Sequence, residues 1–333
     1  MLPELSSLPV ARSMDDGESG LGFLLRCAHA NGLSMKQLMM LAGVRTPTWP
    51  QPADIMRLAF LVGIAPGRLA QTLRQRRTQH GRREFEFVGH RWTSATAFRT
   101  RAVQICPECL RERGHCRAVW ELAACTLCAR HQCELIDRCR HCGTLINWAR
   151  PAVDVCRCGL YLVAPGPTDR IPCAAADWCR WLEHQCDARS ELAMLLPDRL
   201  SWLASAGPDG AFHILMALGT RRDVMHSQST SDTVRMRTPA EMTQCVVRAF
   251  ERMADIGPDS GLLPRELVDL IDQPRLERLA CFGALESARR VARQLLRRMR
   301  CEAPLELLRR PWRTAPPFKG QLELFDDGRP STT

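Results

Sequence analysis

The chain has 333 residues and a formal net charge of +10, and 45% of its residues are hydrophobic. This length and composition predict two or three folded domains with apolar cores. No apolar run approaches the roughly 18 residues that cross a bilayer, and residues 1–10 lack the basic start and apolar run of a signal peptide. These observations argue against an integral membrane or secreted protein, so we expect a cytoplasmic one.

Residues 1–19 are rich in proline, serine and aspartate, and we predict an extended lead-in there. Residues 20–101 are predicted to form an N-terminal helical domain. Its first two helices are expected at Leu21–Ala30 and Ser34–Ala42, with Ser34 as the N-cap and Gly43 as the stop signal.

A helix-turn-helix is predicted in the second half of this domain. Asp54 is expected to cap a helix that ends at Gly63, and a second helix starts at Arg68. Ala59, Gly63 and Leu69 have the small–glycine–apolar spacing of this DNA-binding motif. The residues predicted to contact nucleic acid, the first four on or near the outward face of the second helix, are Arg68, Gln71, Arg74, Gln75, Arg76 and Arg77. The alternatives are an ordinary bundle with a solvated basic face and a protein-docking surface.

Two segments concentrate the positive charge. Residues 66–101 and residues 289–313 each carry nine arginines against two glutamates. Codon bias in a GC-rich genome would explain a high arginine content, but this local concentration favours a polyanionic partner. The aromatic residues of the first segment are predicted to form a small core rather than to stack on bases; they are Phe85, Phe87, Trp92 and Phe98.

Ten of the 17 cysteines fall between Cys106 and Cys158, and we predict a double zinc-binding module over residues 102–165. Four ligand pairs follow one another at spacings that suit tetrahedral Zn²⁺. Sequential pairing predicts two ions, the first held by Cys106, Cys109, Cys128 and His131, the second by Cys139, Cys142, Cys156 and Cys158. Cys125 could replace His131, and Cys116, Cys133 and His141 are also within reach. Four protein ligands leave no open coordination position, so both ions are expected to be structural.

Gly143 and Gly159 each follow a ligand pair, where a metal-binding turn often needs a positive φ. A disulfide or redox framework is the alternative interpretation of these cysteines. Because a cytosolic protein with paired cysteines more often binds metal than forms bridges, we favour zinc.

Residues 166–310 are predicted to form a C-terminal helical domain, followed by a disordered tail at residues 311–333. Its predicted helices are Asp177–Cys186, Glu191–Leu203, Ala211–Leu218, Pro239–Ala254, Leu263–Ile271 and Leu285–Met299, the last one basic, with a linker over 228–232. The predicted fold class is therefore mainly α. It combines a helix-turn-helix-like domain, a central double zinc module with small zinc-ribbon or zinc-knuckle β elements, and a helical C-terminal domain.

The ordered string of metal-ligand motifs, set between two helical regions, resembles the TniQ/TnsD family of transposon target-selection proteins. The resemblance covers Leu21 to about Leu218. The residues that carry it are Cys106, Pro107, Cys109, Trp120, Cys128, His131, Leu135, Cys139, Cys142, Gly143, Cys156, Cys158 and Gly159. The resemblance also favours His131 over Cys125 as the fourth ligand of the first site.

The resemblance implies a non-catalytic adaptor that selects a DNA target site and recruits an AAA+ ATPase, which then brings the transposase. Some members of the family bind the target DNA themselves, and others act with an RNA-guided CRISPR effector complex. The implied partners are this ATPase, target DNA, an effector complex with its guide RNA and a second copy of the chain. No membrane partner is expected, and we expect a bacterial cytoplasmic protein that joins the nucleoid when bound to DNA.

Known catalytic motifs are absent from the sequence, which has no Gly-x₄-Gly-Lys-Ser/Thr phosphate loop, no Gly-x-Ser-x-Gly elbow and no His-Glu-x-x-His helix. We therefore predict that the protein is not an enzyme. One alternative function is a zinc-stabilised helix-turn-helix transcription regulator that acts alone. Another is a thiol-based enzyme, which would carry reducible disulfides and little zinc.

Overall fold

The computed structural model describes residues 6–79, 81–163, 173–187, 200–220, 237–254 and 261–299, together with Leu196 and Ile256. The described chain is mainly helical, with small antiparallel sheets, as the sequence predicted. The N-terminal elements are α1 (Gly20–Ala30), α2 (Met35–Leu41), α3 (Pro52–Val62), α4 (Pro66–Thr72), β1 (Gln75–Gln79), β2 (Arg82–Phe87) and β3 (His90–Trp92). The central elements are α5 (Pro107–Arg113), β4 (Leu127–Cys128) and β5 (Cys133–Glu134), and short 3₁₀ turns lie at Ala95–Ala97 and Ala118–Glu121.

The C-terminal part is helical. Its elements are α6 (Cys173–Cys186), α7 (Ser201–Ala204), α8 (Gly207–Gly219), α9 (Pro239–Ala254), α10 (Arg265–Val268), α11 (Gln273–Phe282) and α12 (Glu286–Arg298). The predicted linker at 228–232 and the tail at 311–333 lie outside the described residues, as does most of the helix predicted at Glu191–Leu203. No helix in the described part of the chain has both the length and the apolar character that a membrane crossing requires.

The first two helices begin and end within one residue of their predicted limits. Ser34 caps α2, its hydroxyl accepting a hydrogen bond from the Gln37 backbone N–H at 3.3 Å. The Gln37 side-chain oxygen accepts a hydrogen bond from the Ser34 backbone N–H at 2.8 Å, which completes a capping box. Gly43 follows α2 with a φ of 65°, a conformation that glycine adopts without a steric penalty.

Helices α3 and α4 form the predicted helix-turn-helix arrangement, with two corrections. Asp54 is not the N-cap of α3, because the helix already begins at Pro52 and Asp54 accepts a hydrogen bond from the Gln51 N–H at 2.8 Å. Gly63 ends α3 with a φ of 70°, and both Ala59 and Leu69 are fully buried. The second correction is that α4 ends at Thr72, so Arg74 and Gln75, which the sequence placed on or near a face of this helix, lie beyond it.

The chain after α4 forms a three-stranded antiparallel sheet rather than a longer helix. Arg76 pairs with Phe85, and Phe85 pairs with Trp92. Phe85, Phe87 and Trp92 are buried around Phe98, with ring centroids 5.5–6.0 Å from it. The prediction that these aromatic residues form a small core is therefore confirmed.

Helix α8 lies in the core of the C-terminal part, and α9 packs directly against it. A Cβ at Gly219 would lie 2.1 Å from the Cys245 carbonyl oxygen, so the two helices cross at a distance that only glycine permits. Helix α6 instead packs on the central region, where the Trp178 indole N–H donates a 3.0 Å hydrogen bond to the Ala124 carbonyl.

Buried ion pairs connect regions on either side of the predicted domain limits. Arg74, which precedes β1, lies 3.1 Å from Glu121 of the central region, and both side chains are at most 4% exposed. Arg99 and Asp137 form a second buried pair at 2.5 Å. A third joins Arg117 to Glu183 of α6. Because a buried charge is costly without its partner, these pairs fix how the central region contacts its neighbours.

Candidate metal centres and the basic surface

The first ligand set is positioned by the start of a helix and the turn of a hairpin. Cys106 is the N-cap of α5, and its sulfur accepts a hydrogen bond from the Cys109 backbone N–H at 3.4 Å. Cys128 ends β4, and His131 lies in the following turn, where Gln132 has a φ of 48°. The His131 backbone N–H donates to the Cys128 sulfur at 3.4 Å. The helix start therefore supplies one pair of ligands and the hairpin turn supplies the other, and the two pairs meet at one point.

The distances within this set match a tetrahedral zinc site. The sulfurs of Cys109 and Cys128 are 3.5 Å apart, and the His131 Nδ1 lies 3.2–3.6 Å from the sulfurs of Cys106, Cys109 and Cys128. Zn–S bonds of about 2.3 Å and Zn–N bonds of about 2.0 Å at tetrahedral angles put ligand atoms about 3.6–3.8 Å apart. We name these four residues the first tetrad; they fit a Cys₃His zinc site.

The structure distinguishes the first tetrad from the other cysteines that the sequence allows as ligands. The Cys125 sulfur is directed to the Leu127 carbonyl at 3.8 Å and lies beside Cys179, so it does not take the place of His131. Cys133 lies closer, with its sulfur 3.5 Å from that of Cys106, because Cys133 pairs with Cys128 across the hairpin. It remains a neighbour of the tetrad rather than one of the four mutually close ligands.

Glu112 orients the imidazole of the first tetrad. Its carboxylate lies 3.0 Å from the His131 Nε2, on the side of the ring opposite the three sulfurs. The hydrogen bond from His131 lowers the pKa of Glu112. A carboxylate in this position fixes the tautomer that leaves Nδ1 free to bind metal, an arrangement found at many zinc-binding histidines.

The electrostatics of the first tetrad favour thiolate at Cys128 and oppose it at Cys109, where hydrogen bonds with Cys106 and Cys128 raise the pKa of the thiol. Hydrogen bonds from Cys106 and Cys109 lower the pKa of the Cys128 thiol. Thiolate is the form that binds Zn²⁺, so these contacts prepare Cys128 for coordination.

The second ligand set lies in loops and is more exposed. The sulfurs of Cys139 and Cys158 are 3.9 Å apart, and those of Cys142 and Cys156 are 3.7 Å apart. We name these four residues the second tetrad; their spacing fits a Cys₄ zinc site, and the narrow Cys156-x-Cys158 pair does not prevent closure.

Two left-handed glycines and one threonine shape the second tetrad. Gly143 and Gly159 have φ values of 70° and 86°, as predicted for the positions that follow these ligand pairs. The Thr144 hydroxyl lies 3.0 Å from the Cys142 sulfur and is the main cause that lowers the pKa of the Cys142 thiol to about 6. Cys142 is therefore poised as a thiolate at neutral pH.

The disulfide interpretation does not fit this geometry. Sulfurs within the two tetrads are 3.5–3.9 Å apart, whereas a disulfide bond is about 2.05 Å long. The 15 cysteines whose side chains the structure describes are free thiols. Both tetrads are positioned to hold a metal ion, and the thiolate and imidazole donors suit Zn²⁺.

The residues predicted to contact nucleic acid do not share one face. Arg74 is 1% exposed and paired with Glu121, so it has no surface to offer DNA in this structure. Gln75, Arg76 and Arg77 lie on β1 rather than on the second helix, because α4 ends at Thr72. This corrects the expectation that Arg74 and Gln75 lie on an outward helix face.

The other residues predicted to contact nucleic acid differ in their exposure and in their bonds to other residues of the chain. Gln71 and Arg76 are exposed. Arg68 is half exposed and lies 3.4 Å from Asp16. Arg77 pairs with Glu86 at 2.6 Å, and the Gln75 side chain donates to the Ala70 carbonyl at 2.9 Å. Their contact with nucleic acid stays a prediction.

Sequence reasoning missed two residues that support the tetrads, Glu112 and Thr144. Glu112 lies three residues after Cys109 on α5, which places it near the metal-facing side of the helix, but its distance from His131 depends on the hairpin fold. Thr144 directly follows Gly143. A hydroxyl two residues after a ligand is the only signal that could have indicated its contact with Cys142.

Comparison with known proteins identifies one family. The TniQ family model matches residues 9–135. The matched range includes the four N-terminal helices, the three-stranded sheet and every member of the first tetrad. No curated protein matches the chain. Residues 9–135 are therefore a TniQ family domain, which implies a transposition-associated protein of a generally non-catalytic kind.

Proposed function

We propose that this chain, which carries a TniQ domain over residues 9–135, is a non-catalytic transposition adaptor. In this role it marks the DNA target site and recruits an AAA+ ATPase, and through that ATPase the transposase. It reaches the target either by binding DNA itself or by joining an RNA-guided CRISPR effector complex.

The observation that carries the proposal is that the TniQ match ends at residue 135, just past His131. The matched unit therefore includes the N-terminal helices and a whole metal-binding set. This set has four protein ligands and no open position, which suits a structural ion that stabilises a scaffold. An adaptor needs such a rigid scaffold because it acts by holding partners at fixed positions.

The basic surfaces support a nucleic-acid partner. On the three-stranded sheet, Arg76, Arg77, Arg82, Arg83 and Arg91 are exposed. On α12, Arg290 and Arg297 are exposed as well. Arginine attracts and hydrogen-bonds phosphate, so these surfaces favour contact with DNA or RNA over contact with a basic protein.

The test is affinity purification of the full-length chain from its native host, with protein, nucleic acid and zinc measured in the eluate. We expect an AAA+ ATPase and about two zinc ions per chain, and guide RNA in the eluate would identify the RNA-guided route. The purified chain alone should not hydrolyse ATP or cut DNA. ATP turnover by the isolated chain, or repeated failure to capture an ATPase, would refute the adaptor role.

A second candidate function is a stand-alone DNA-binding regulator. It is favoured by the order of α3, the Gly63 turn, α4 and a basic hairpin, because such a hairpin next to a helix-turn-helix can contact DNA beside the second helix. This candidate predicts tight, sequence-specific DNA binding with a steep salt dependence and no ATPase in the eluate.

A further inference from the structure

A pocket of about 480 Å³ lies between the three-stranded sheet and the C-terminal helices. One wall comes from β2 and the segment that follows β3, and the other from α11, with His213 of α8 also lining it. The pocket therefore joins the TniQ domain to the C-terminal part of the same compact unit.

Three arginines at this pocket are not neutralised within the described chain. The guanidinium groups of Arg83 and Arg278 are exposed and make no ion pair or hydrogen bond to any described residue. Arg82 lies over the ring of Phe282, 3.6 Å from its centroid. Stacking holds the guanidinium in place and leaves its N–H donors free, since the contact uses the face of the group.

The other charges at the pocket are balanced internally. Glu84, the one carboxylate among the lining residues, lies 3.4 Å from Arg91. Arg275 is buried and lies 3.4 Å from Asp272. The charge available to a ligand therefore comes from Arg82, Arg83 and Arg278, and it is positive.

The inner surface of the pocket carries hydroxyl groups that also bond within the chain, the Thr93 hydroxyl to Asp209 and to His213. Thr93, Ser94 and Thr96 line it, and the hydroxyls of Ser94 and Thr96 are 2.7 Å apart. Hydroxyls and arginines together form a common set of phosphate-binding side chains.

We propose that this pocket binds phosphates of a nucleic-acid backbone. The proposal rests on the adaptor function and specifies where the chain meets nucleic acid. A backbone is favoured over a small anion because the positive charge extends past the pocket along α12. Helix α12 packs against α11, which forms one wall of the pocket. Arg290 and Arg297 continue the exposed positive charge on α12.

The test compares two double variants of the full-length chain that lose equal charge. The first, Arg83→Ala with Arg278→Ala, removes two free arginines of the pocket. The control, Arg12→Ala with Arg113→Ala, removes two exposed arginines that do not line it. Fluorescence anisotropy with a short double-stranded DNA of unrelated sequence gives Kd over a range of salt concentrations. Thermal melting and zinc content show that each variant is folded.

We expect the pocket variant to bind DNA roughly tenfold more weakly, and the control to bind as the unchanged chain does. The slope of log K against log salt should fall by about one for each lost phosphate contact. Equal losses in both variants, or no loss in either, would overturn the proposal, as would full competition of DNA by ATP or inorganic phosphate at concentrations near the DNA.

The outcome is independent of the adaptor test. If the pocket variant still captures the ATPase but binds DNA normally, only the pocket assignment fails. If the unchanged chain captures no ATPase while the pocket variant loses DNA binding, the adaptor role fails and the phosphate site stands.

Discussion

The two tetrads have the same chemistry but sit in very different surroundings. In the first tetrad, Cys106, Cys109 and Cys128 are at most 1% exposed, and the ligands lie on α5 and the β4–β5 hairpin. In the second tetrad, Cys142 and Cys158 are exposed, and the ligands lie in loops between isolated bridges. The comparison indicates that an ion held by the first tetrad would be part of the hydrophobic core, whereas an ion held by the second would tie surface loops together.

The surroundings of each tetrad extend this difference. The Thr126 hydroxyl, two residues before Cys128, bonds to the Thr243 hydroxyl of α9 at 2.8 Å, and Ala124 accepts the Trp178 N–H of α6. Around the second tetrad, Leu160 and Tyr161 are 44% and 67% exposed. Loss of the first ion should thus reach distant helices, and loss of the second should remain local.

The largest expected effect follows from Cys109→Ser. Loss of this ligand removes structural zinc affinity whose apparent free energy is about 10 kcal/mol or more, which exceeds the stability of many domains. We expect the chain to lose its cooperative thermal transition and its near-UV circular dichroism. A folded Cys109→Ser chain that retained one zinc ion and melted normally would show that the first tetrad is not part of the core.

The next largest effect is expected from Arg74→Ala. It leaves Glu121 buried without its ion-pair partner, and such a loss costs about 3–5 kcal/mol. Denaturant unfolding measures this cost. The control is Arg68→Ala, which removes a half-exposed pair with Asp16 and should change stability by no more than about 1 kcal/mol. Equal effects would mean that burial of the Arg74 pair does not couple the sheet to the central region.

Cys142→Ser should have a smaller effect on the fold. We expect zinc to fall from two ions to one per chain, while the free energy of global unfolding changes by no more than about 1 kcal/mol, because only the loops around the ligand open. Hydrogen exchange should rise in the loops of the second tetrad and stay unchanged at Ala124. Loss of global folding in this variant would remove the distinction between the two tetrads.

A milder change to the first tetrad is Glu112→Gln, which removes the carboxylate behind His131. Loss of such a partner typically weakens metal affinity 10–100-fold, and competition with a chromogenic chelator would measure it. Glu108→Gln is the matched control, since Glu108 lies on the same helix but pairs with Arg111. If both variants hold zinc equally well, Glu112 does not orient the ligand.

The sequence predicted the local features of both regions better than their contacts. The ligand identities, the left-handed Gly143 and Gly159 and the Ser34 cap depend on residues that are close along the chain, and the structure has each of them in the expected local arrangement. The alternation in β2, Arg-Arg-Glu-Phe-Glu-Phe, is typical of a strand with one buried face, but no strand is assigned there from the sequence.

Contacts between distant residues explain what the sequence could not predict. The burial of Arg74 depends on Glu121, 47 positions later, and no local pattern distinguishes it from the exposed Arg76. The pocket likewise depends on β2 meeting α11. Arginine type and charge density predicted a polyanion partner, but only tertiary structure separates arginines with internal partners from those free to bind one.

The smallest effect is expected from Thr144→Val, which preserves side-chain shape but removes the hydroxyl next to Cys142. The pKa of Cys142 should rise from about 6 toward the ordinary cysteine value of about 8.5. A thiol with a lowered pKa contributes stability to the folded chain that is complete above its unfolded pKa and is lost as the pH falls through the folded one. Metal affinity likewise falls as the pH falls, because the proton competes with the ion for the thiolate.

The Thr144→Val chain should therefore release its second zinc ion at a higher pH than the unchanged chain, while release of the first ion stays the same. A pH titration of bound zinc measures both steps, and an equal shift in both would show that the two tetrads respond as one unit.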